Sequence, residues 1–273
     1  MPALLRRAGG RLLAIVLVAL VALFILGPLL WLGMHAFASD WTYPNLLPDG
    51  LTMRWWGVVF SDPTLFASMQ NTLFFAPVTV LVSAVVCLPA AYAFSRFRFP
   101  GRRFFLIGLF ATNAFPKMGL FVSMATVFYG LHLMGTAFGV IVVHVIGTVV
   151  FMTWIPAAAF SAVPRSLEEA ARDAGAGRIR TFLTVTLPLA LPGILVACVM
   201  SFLASFDEAQ GTYLVGAPTF MTMPTEMYTL VLNYPKQVAA VFAILLSLPS
   251  VVLLLLTRKY IMGGQLAEGF QIR

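Results

Sequence analysis

Two short runs carry the polar side chains best suited to handling a solute inside an otherwise apolar chain. The first, Ser205-Phe206-Asp207-Glu208-Ala209-Gln210, sets two carboxyls side by side at the end of a long hydrophobic stretch. An ionisable group at membrane depth is costly and by default marks a substrate or ion path. Asp207 and Glu208 together would attract a cation, with Gln210 as a neutral hydrogen-bonding neighbour. The plainer alternative is charge at a membrane–water boundary. The second run, Asn113-Ala114-Phe115-Pro116-Lys117, interrupts another hydrophobic stretch. Irregular backbone at membrane depth is tolerated where it lies against protein or lines a water-filled cavity. Asn113, Phe115 and Pro116 are therefore candidate pathway residues, against the simpler reading that a helix ends there.

Catalytic patterns are missing. His35, His132 and His144 are scattered without metal-ligand spacing, and Cys87 and Cys198 lie in apolar runs as small hydrophobes. Neither GxSxG nor HExxH occurs. The lysines Lys117, Lys236 and Lys259 follow Pro116, Pro235 and Arg258, so none closes a phosphate-cradling Gly-Lys-Ser/Thr loop. The chain is expected to be a non-catalytic subunit with no cofactor or metal of its own. Any ATP-derived energy must come from a partner.

One further segment is polar. Ser166-Leu-Glu168-Glu169-Ala170-Ala171-Arg172 has the form of a capping box, Ser166 with Glu169, at the start of a short helix with both acids in its first turn. Gly175 and Gly177 permit a turn. Arg178 and Arg180 then begin another helical piece, expected to end near Leu187-Pro188. By composition alone this is a solvated connection between two spans.

The elements that position these residues are apolar helices. The chain has 273 residues, 60% hydrophobic and 10% charged, where a soluble domain carries about 25% charged residues. Six spans are expected: Leu12 to Phe37, Met69 to Phe94, a third from Phe104 broken near Pro116 and resuming from Leu120 to Leu133, Ala137 to Ala159, Phe182 to Phe206, and Gln237 to Thr257. The first could be a signal peptide, since Ala36-Phe37-Ala38 resembles a cleavage site, but it is long enough to span and is read as retained. Residues 38–67 and 207–235 are expected to be polar loops, with Trp41, Tyr43, Trp55 and Trp56 suited to an interface. Pro156 is expected to kink the fourth span or mark its exit.

Fourteen of the seventeen Lys and Arg flank the spans on one side, in residues 1–11, 96–103, 165–180 and 258–273; Arg54, Lys117 and Lys236 lie on the other. This bias predicts cytoplasmic termini (1–11 and 258–273), a membrane domain over 12–257 and a cytoplasmic segment at 164–188. It also accounts for the basic pI, and nucleic acid is not an expected partner.

The pattern Glu169-Ala170-Ala171, Gly175, then Val185 and Leu187-Pro188, resembles the EAA loop of type I binding-protein-dependent ABC importer permeases. Val185 stands where that family has Ile. The resemblance implies an all-α integral membrane fold with six transmembrane helices, both termini cytoplasmic, and a cytoplasmic coupling helix. It assigns ATPase coupling to Glu168, Glu169, Ala170, Ala171, Gly175, Leu187 and Pro188. It also implies the partners: a second permease subunit, two ATP-binding subunits that bind ATP and Mg, an extracytoplasmic solute-binding protein and the lipid of a bacterial-type inner membrane. Leu51-Thr-Met-Arg54-Trp-Trp, Asn71-Thr72, Phe99-Pro-Gly-Arg102 and Ser205-Phe-Asp207-Glu208 are similar to spermidine/putrescine-type second permease subunits, which implies a polyamine cargo. Phe115-Pro116 and Gly263-Gly-Gln-Leu-Ala-Glu-Gly269 are instead similar to the carbohydrate branch, so sugar or glycerophosphodiester uptake is the alternative. An ATPase-independent channel is a third reading.

Overall fold

The computed structural model describes residues 2–42 and 44–262, with side chains described over 13–42 and 44–258. The expectations placed on Tyr43, on the side chains of Arg6, Arg7, Arg11 and Lys259, and on the tail through Gly263–Gly269 to Arg273 lie outside these residues. All helices and turns that follow belong to two compact units, residues 1–63 with 227–246, and residues 64–226 with 247–273.

In the first unit, α1 (Pro2–Phe37) contains an apolar stretch, Leu13–Phe37, long enough to span a membrane. Leu17, Val21, Phe24 and Leu30 on it are all exposed, as suits a helix apolar on every side that meets lipid or a neighbouring subunit. The segment expected to be a loop over 38–67 is partly folded. Ala38 and Leu51 form an antiparallel bridge, and α2 (Arg54–Ser61) follows, with Trp55 Nε1 donating to the Ala38 carbonyl at 2.8 Å. Eight residues among turn-forming neighbours leave too short a periodic signal to read from sequence. Tyr234 Oη, in the same unit, donates to Asp62 at 3.0 Å.

The second unit contains most of α3 (Pro63–Arg96), which starts earlier than the expected Met69 and keeps Pro77 and Pro89 within the helix. Gly101, with φ +79°, turns the chain into α4 (Arg102–Ala111). A 3₁₀ turn at Thr112–Ala114 and α5 (Lys117–Gly130) follow, and the two parts are bent by 105°. The expected break therefore falls at Phe115-Pro116. Phe115 is extended at φ −82°, ψ 145°, as the residue before a proline prefers.

Helix α6 (Ala137–Ala162) is capped by Thr136, whose side chain accepts from the Gly139 N–H at 3.0 Å. Pro156 lies inside α6 and does not mark its exit; the helix stops because Pro164 forces Val163 into extended backbone (ψ 120°). Next come α7 (Arg165–Asp173), α8 (Arg178–Thr181), a π-helical turn at Phe182–Thr186, and α9 (Leu187–Phe206). Residues Arg178–Phe206 form one apolar stretch, so no helix ends near Pro188. The widened π turn accommodates a residue that has no N–H and whose ring crowds the preceding turn. The supposed loop over 207–235 also contains helices, α10 (Gln210–Gly216) and α11 (Met223–Asn233), before α12 (Lys236–Met262). Among the described residues, five helices are long and apolar enough to cross a membrane, and the bent α4–α5 pair is a sixth if counted as one span.

Helix pairing inside lipid gains little from burial of apolar area, so close approach and polar contacts matter more. The second unit shows both. Ala157 on α6 and Ala190 and Ile194 on α9 pack with Ala91 on α3. Ser83 and Thr148 hydroxyls pair between α3 and α6 at 2.8 Å. Tyr92 sits edge-on to both Phe160 and Phe182, at 5.4 and 5.1 Å between ring centroids. Helix α10 lies so close to α5 and α6 that a Cβ on Gly211 would strike Val143 Cγ1 and stand 2.9 Å from Phe121 Cε1. Gly211→Leu should thus destabilise the purified protein by about 1–3 kcal/mol through overpacking. Gly147→Ala, where nothing lies within 4 Å, should not. Thermal unfolding in detergent measures both.

Candidate functional site

The polar segment after α6 begins with Pro164 at the N-cap of α7, with no side-chain cap. The capping box expected from Ser166 and Glu169 is therefore not formed. Pro164 starts the helix two residues earlier, which puts Ser166 inside it, Glu168 in the first turn and Glu169 beyond it. The other end agrees with the sequence. Gly175, at φ +88°, takes the left-handed position after the helix. Its N–H donates to the Arg172 carbonyl at 2.9 Å, and the Ala176 N–H donates to the Ala171 carbonyl at 3.0 Å. These two bonds define a Schellman closure, which favours glycine at this position.

The two acids of α7 have opposite surroundings. Glu168 is buried. Its Oε1 accepts from Arg96 Nη2 at 2.8 Å and from Thr186 Oγ1 at 2.7 Å. Glu169 and Ala170 are exposed and Ala171 is half-buried. Leu167 and Ile179 are also exposed, which leaves α7 and α8 a mixed apolar and acidic face. Leu187 and Pro188 lie in the first turn of α9, directly after Thr186. The segment is thus a short helix with one side tied inward and the other open.

The six pathway candidates differ in their surroundings. Asp207 and Gln210 are exposed, whereas Glu208 is buried. Glu208 Oε1 accepts from the Gly211 N–H at 2.8 Å, closing the first turn of α10. Burial pushes its carboxyl above the ordinary range, opposed by the Gly211 N–H and by the positive charge of Lys117. The adjacent acids are thus not a paired cation site. Asn113, Phe115 and Pro116 are exposed at the α4–α5 bend.

Sequence reasoning missed His144. Its Nδ1 is 2.7 Å from Ser205 Oγ and its Nε2 is 2.7 Å from Thr212 Oγ1, all three residues buried. Thr212 Oγ1 in turn reaches the Glu208 carbonyl at 3.3 Å. The set is satisfied with Ser205 donating to Nδ1 and Nε2–H donating to Thr212, which passes its own proton toward Glu208. It fastens α10 to α6 and α9. Its partners lie 61 and 68 residues away, beyond any local pattern. Arg96 was read as one of several flanking charges, yet its side chain is only 7% exposed and its charge is matched by Glu168.

Residues 85–261 match the family of binding-protein-dependent transport system inner membrane components. The chain belongs to this family. It is an ABC importer permease of the multi-pass inner-membrane type. It is similar to the trehalose/maltose transport system permease protein MalG of Thermococcus litoralis, with 29% identity over 93% of this chain and 94% of that protein. The maltodextrin transport system permease protein MdxG of Bacillus subtilis is 29% identical over 85% of this chain and 82% of its own length. The putative ABC transporter permease protein ORF1 of Streptomyces antibioticus is 30% identical over 76% and 92%. The permease fold is shared with a bacterial ABC transporter that imports the acidic polysaccharide alginate, at a TM-score of 0.73 and 23% identity over 93% of this chain and 96% of that one. The polyamine likeness drawn from Asn71-Thr72 and Ser205-Phe-Asp207-Glu208 finds no support among these relatives. In the permease those residues serve the fold: Thr72 Oγ1 accepts from the Met223 N–H at 2.7 Å, and Asn71 donates to the Met221 carbonyl at 2.8 Å.

A left-handed backbone costs a residue with a Cβ about 1–2 kcal/mol, less for asparagine. Gly175→Val should therefore loosen the end of α7, while Gly175→Asn should keep it. Hydrogen exchange at the amides of residues 175 and 176, which donate the closing bonds, should be faster only in the valine variant.

Proposed function

We propose that this permease forms one half of the translocation path of an ATP-driven, binding-protein-dependent importer whose cargo is a neutral oligosaccharide of the maltose or trehalose type. The observation that carries the reading is the likeness, over nearly the full length, to permeases named for trehalose, maltose and maltodextrin transport. The site supports it. A polyamine path calls for paired acids, and here one of the two adjacent carboxyls is buried and accepts from the Gly211 N–H. The neutral groups Asn113 and Gln210, with Phe115, are exposed and suit hydroxyls and sugar faces better than ammonium groups.

In this reading, termini and α7 face the cytoplasm, as the charge bias predicts, and α7 is the coupling helix. Its exposed side, with Leu167, Glu169, Ala170 and the neighbouring Ile179, seats on an ATP-binding subunit. A solute-binding protein delivers cargo from the other side, and a second permease subunit completes the path. ATP binding and hydrolysis belong to the partner, since none of the three lysines stands in a phosphate loop. Closure of the ATPase pair moves α7, and the helices joined to it redirect access from one side to the other.

Reconstitution with the ATP-binding subunits, the second permease subunit and the binding protein in proteoliposomes tests the assignment. Labelled maltose or trehalose should accumulate only with ATP inside. Accumulation of putrescine instead, or solute flux without the ATPase, would refute it. Asp207→Asn should leave sugar uptake within about twofold of wild type, as expected of an exposed charge with little differential interaction.

A further inference from the structure

The buried face of α7 has a role distinct from its exposed one. Four elements converge on the Glu168 carboxylate and the guanidinium opposite it. Arg96, the last residue of α3, donates from Nη2 to Glu168 Oε1 at 2.8 Å and to the Val163 carbonyl, just past the end of α6, at 3.0 Å. Thr186, the last residue of the π turn before α9, donates to the same carboxylate oxygen at 2.7 Å. A second strap runs back from α7, where Arg165 Nη2 donates to the Arg96 carbonyl at 3.2 Å. One turn before Arg96 on α3, Tyr92 lies edge-on to Phe160 of α6 and Phe182 of the π turn. The ends of three spans are thus already locked together by rings and small residues, and Glu168 on α7 holds α3 through Arg96, the start of α9 through Thr186, and the end of α6 by way of Arg96.

A buried ion pair is weak evidence for stability, because an apolar replacement of similar volume often serves as well. Its better-attested use is to fix geometry. The geometry fixed here is the position of α7 relative to α3, α6 and the start of α9. The two hydrogen bonds on Glu168 Oε1 come from donors on different elements, so a displacement of α7 lengthens at least one of them.

We infer that Glu168 is the transmission residue of the permease, a positioning group that converts movement of α7 into movement of α3, α6 and α9 through Arg96 and Thr186. The inference rests on the importer reading given above and adds to it a division of labour. Glu169, exposed, belongs to the docking face. Glu168, buried, belongs to the linkage. The π turn is the joint. Its wider hydrogen-bonding pattern lets Thr186 meet Glu168 while α9 continues through Pro188.

The test compares Glu168→Ala, Arg96→Ala, the double variant and Glu169→Ala in the reconstituted complex. Two quantities are read, solute transported per ATP hydrolysed and retention of the ATP-binding subunit during purification. With the linkage cut, Glu168→Ala and Arg96→Ala should each lower solute per ATP roughly tenfold, the size expected for loss of one coupling contact. The ATP-binding subunit should stay bound. The double variant should be no worse than either single, because both cut the same link. Glu169→Ala should instead weaken retention of the subunit. If a truncation prevents assembly, Glu168→Gln and Thr186→Val preserve packing and should lower the same ratio by a smaller factor. An unchanged ratio in the assembled variants, or fully additive losses in the double variant, would overturn the inference. Wild-type complex that moves no solute with ATP would overturn the importer reading itself, so the two failures are distinguishable.

Discussion

The carboxylate of Glu168 is the one polar group on which the end of the second unit depends. Lipid-embedded helices have little hydrophobic reason to choose one partner over another. Above the polar segment, the choice among α3, α6 and α9 is made by small side chains such as Ala91, Ala157 and Ala190, and by the rings of Tyr92, Phe160 and Phe182. Those contacts join span to span. They do not include α7, which is polar and carries one other strap to α3, from Arg165 to the Arg96 carbonyl. Arg96 and Thr186 reach it, and a short surface helix becomes part of the apolar bundle.

The opposite end of α6 is fastened by the same logic with neutral groups. His144 occupies both of its ring nitrogens with hydroxyls from α9 and α10, and Glu208 closes the first turn of α10. Gly211 and Gly216 let α10 approach to contact distance of α5 and α6. A carboxyl that seemed a natural cation ligand is thus consumed by the backbone. Its neighbour Asp207 stays exposed, as do Gln210, Asn113 and Phe115.

Proline placement shows where sequence signals held and where they did not. Pro116 breaks the third span as anticipated, with Phe115 before it in the extended backbone that a following proline favours. Pro77, Pro89, Pro156 and Pro192 remain inside helices, since neighbouring spans and local adjustment can re-satisfy the freed carbonyls. Pro188 is absorbed by a π turn. Nothing in the chain order separates these cases. Likewise α2, α10 and α11 are too short and too rich in turn residues for periodicity to reveal, and each is held by contacts from elsewhere: Trp55 to Ala38 for α2, His144 to Thr212 for α10 and Thr72 to Met223 for α11.

The sequence by itself determined the membrane class, the approximate limits of the long apolar helices, the break at Pro116 and the glycine turn at Gly175, and the resemblance of its Glu169-Ala170-Ala171 pattern pointed to the family. All but the last follow from local composition and spacing, where each residue acts through its own backbone preference or hydropathy. Tertiary structure alone decided that Glu168 and Glu169 face opposite ways, that Arg96 is an internal partner, that Ser166 caps nothing and that Glu208 is buried while Asp207 is not. The reason is physical: adjacent residues of a helix such as α7 point about 100° apart, and Asp207 and Glu208 lie in the turn between α9 and α10. Which of two neighbouring carboxyls meets a guanidinium or an amide is therefore set by where distant helices pack.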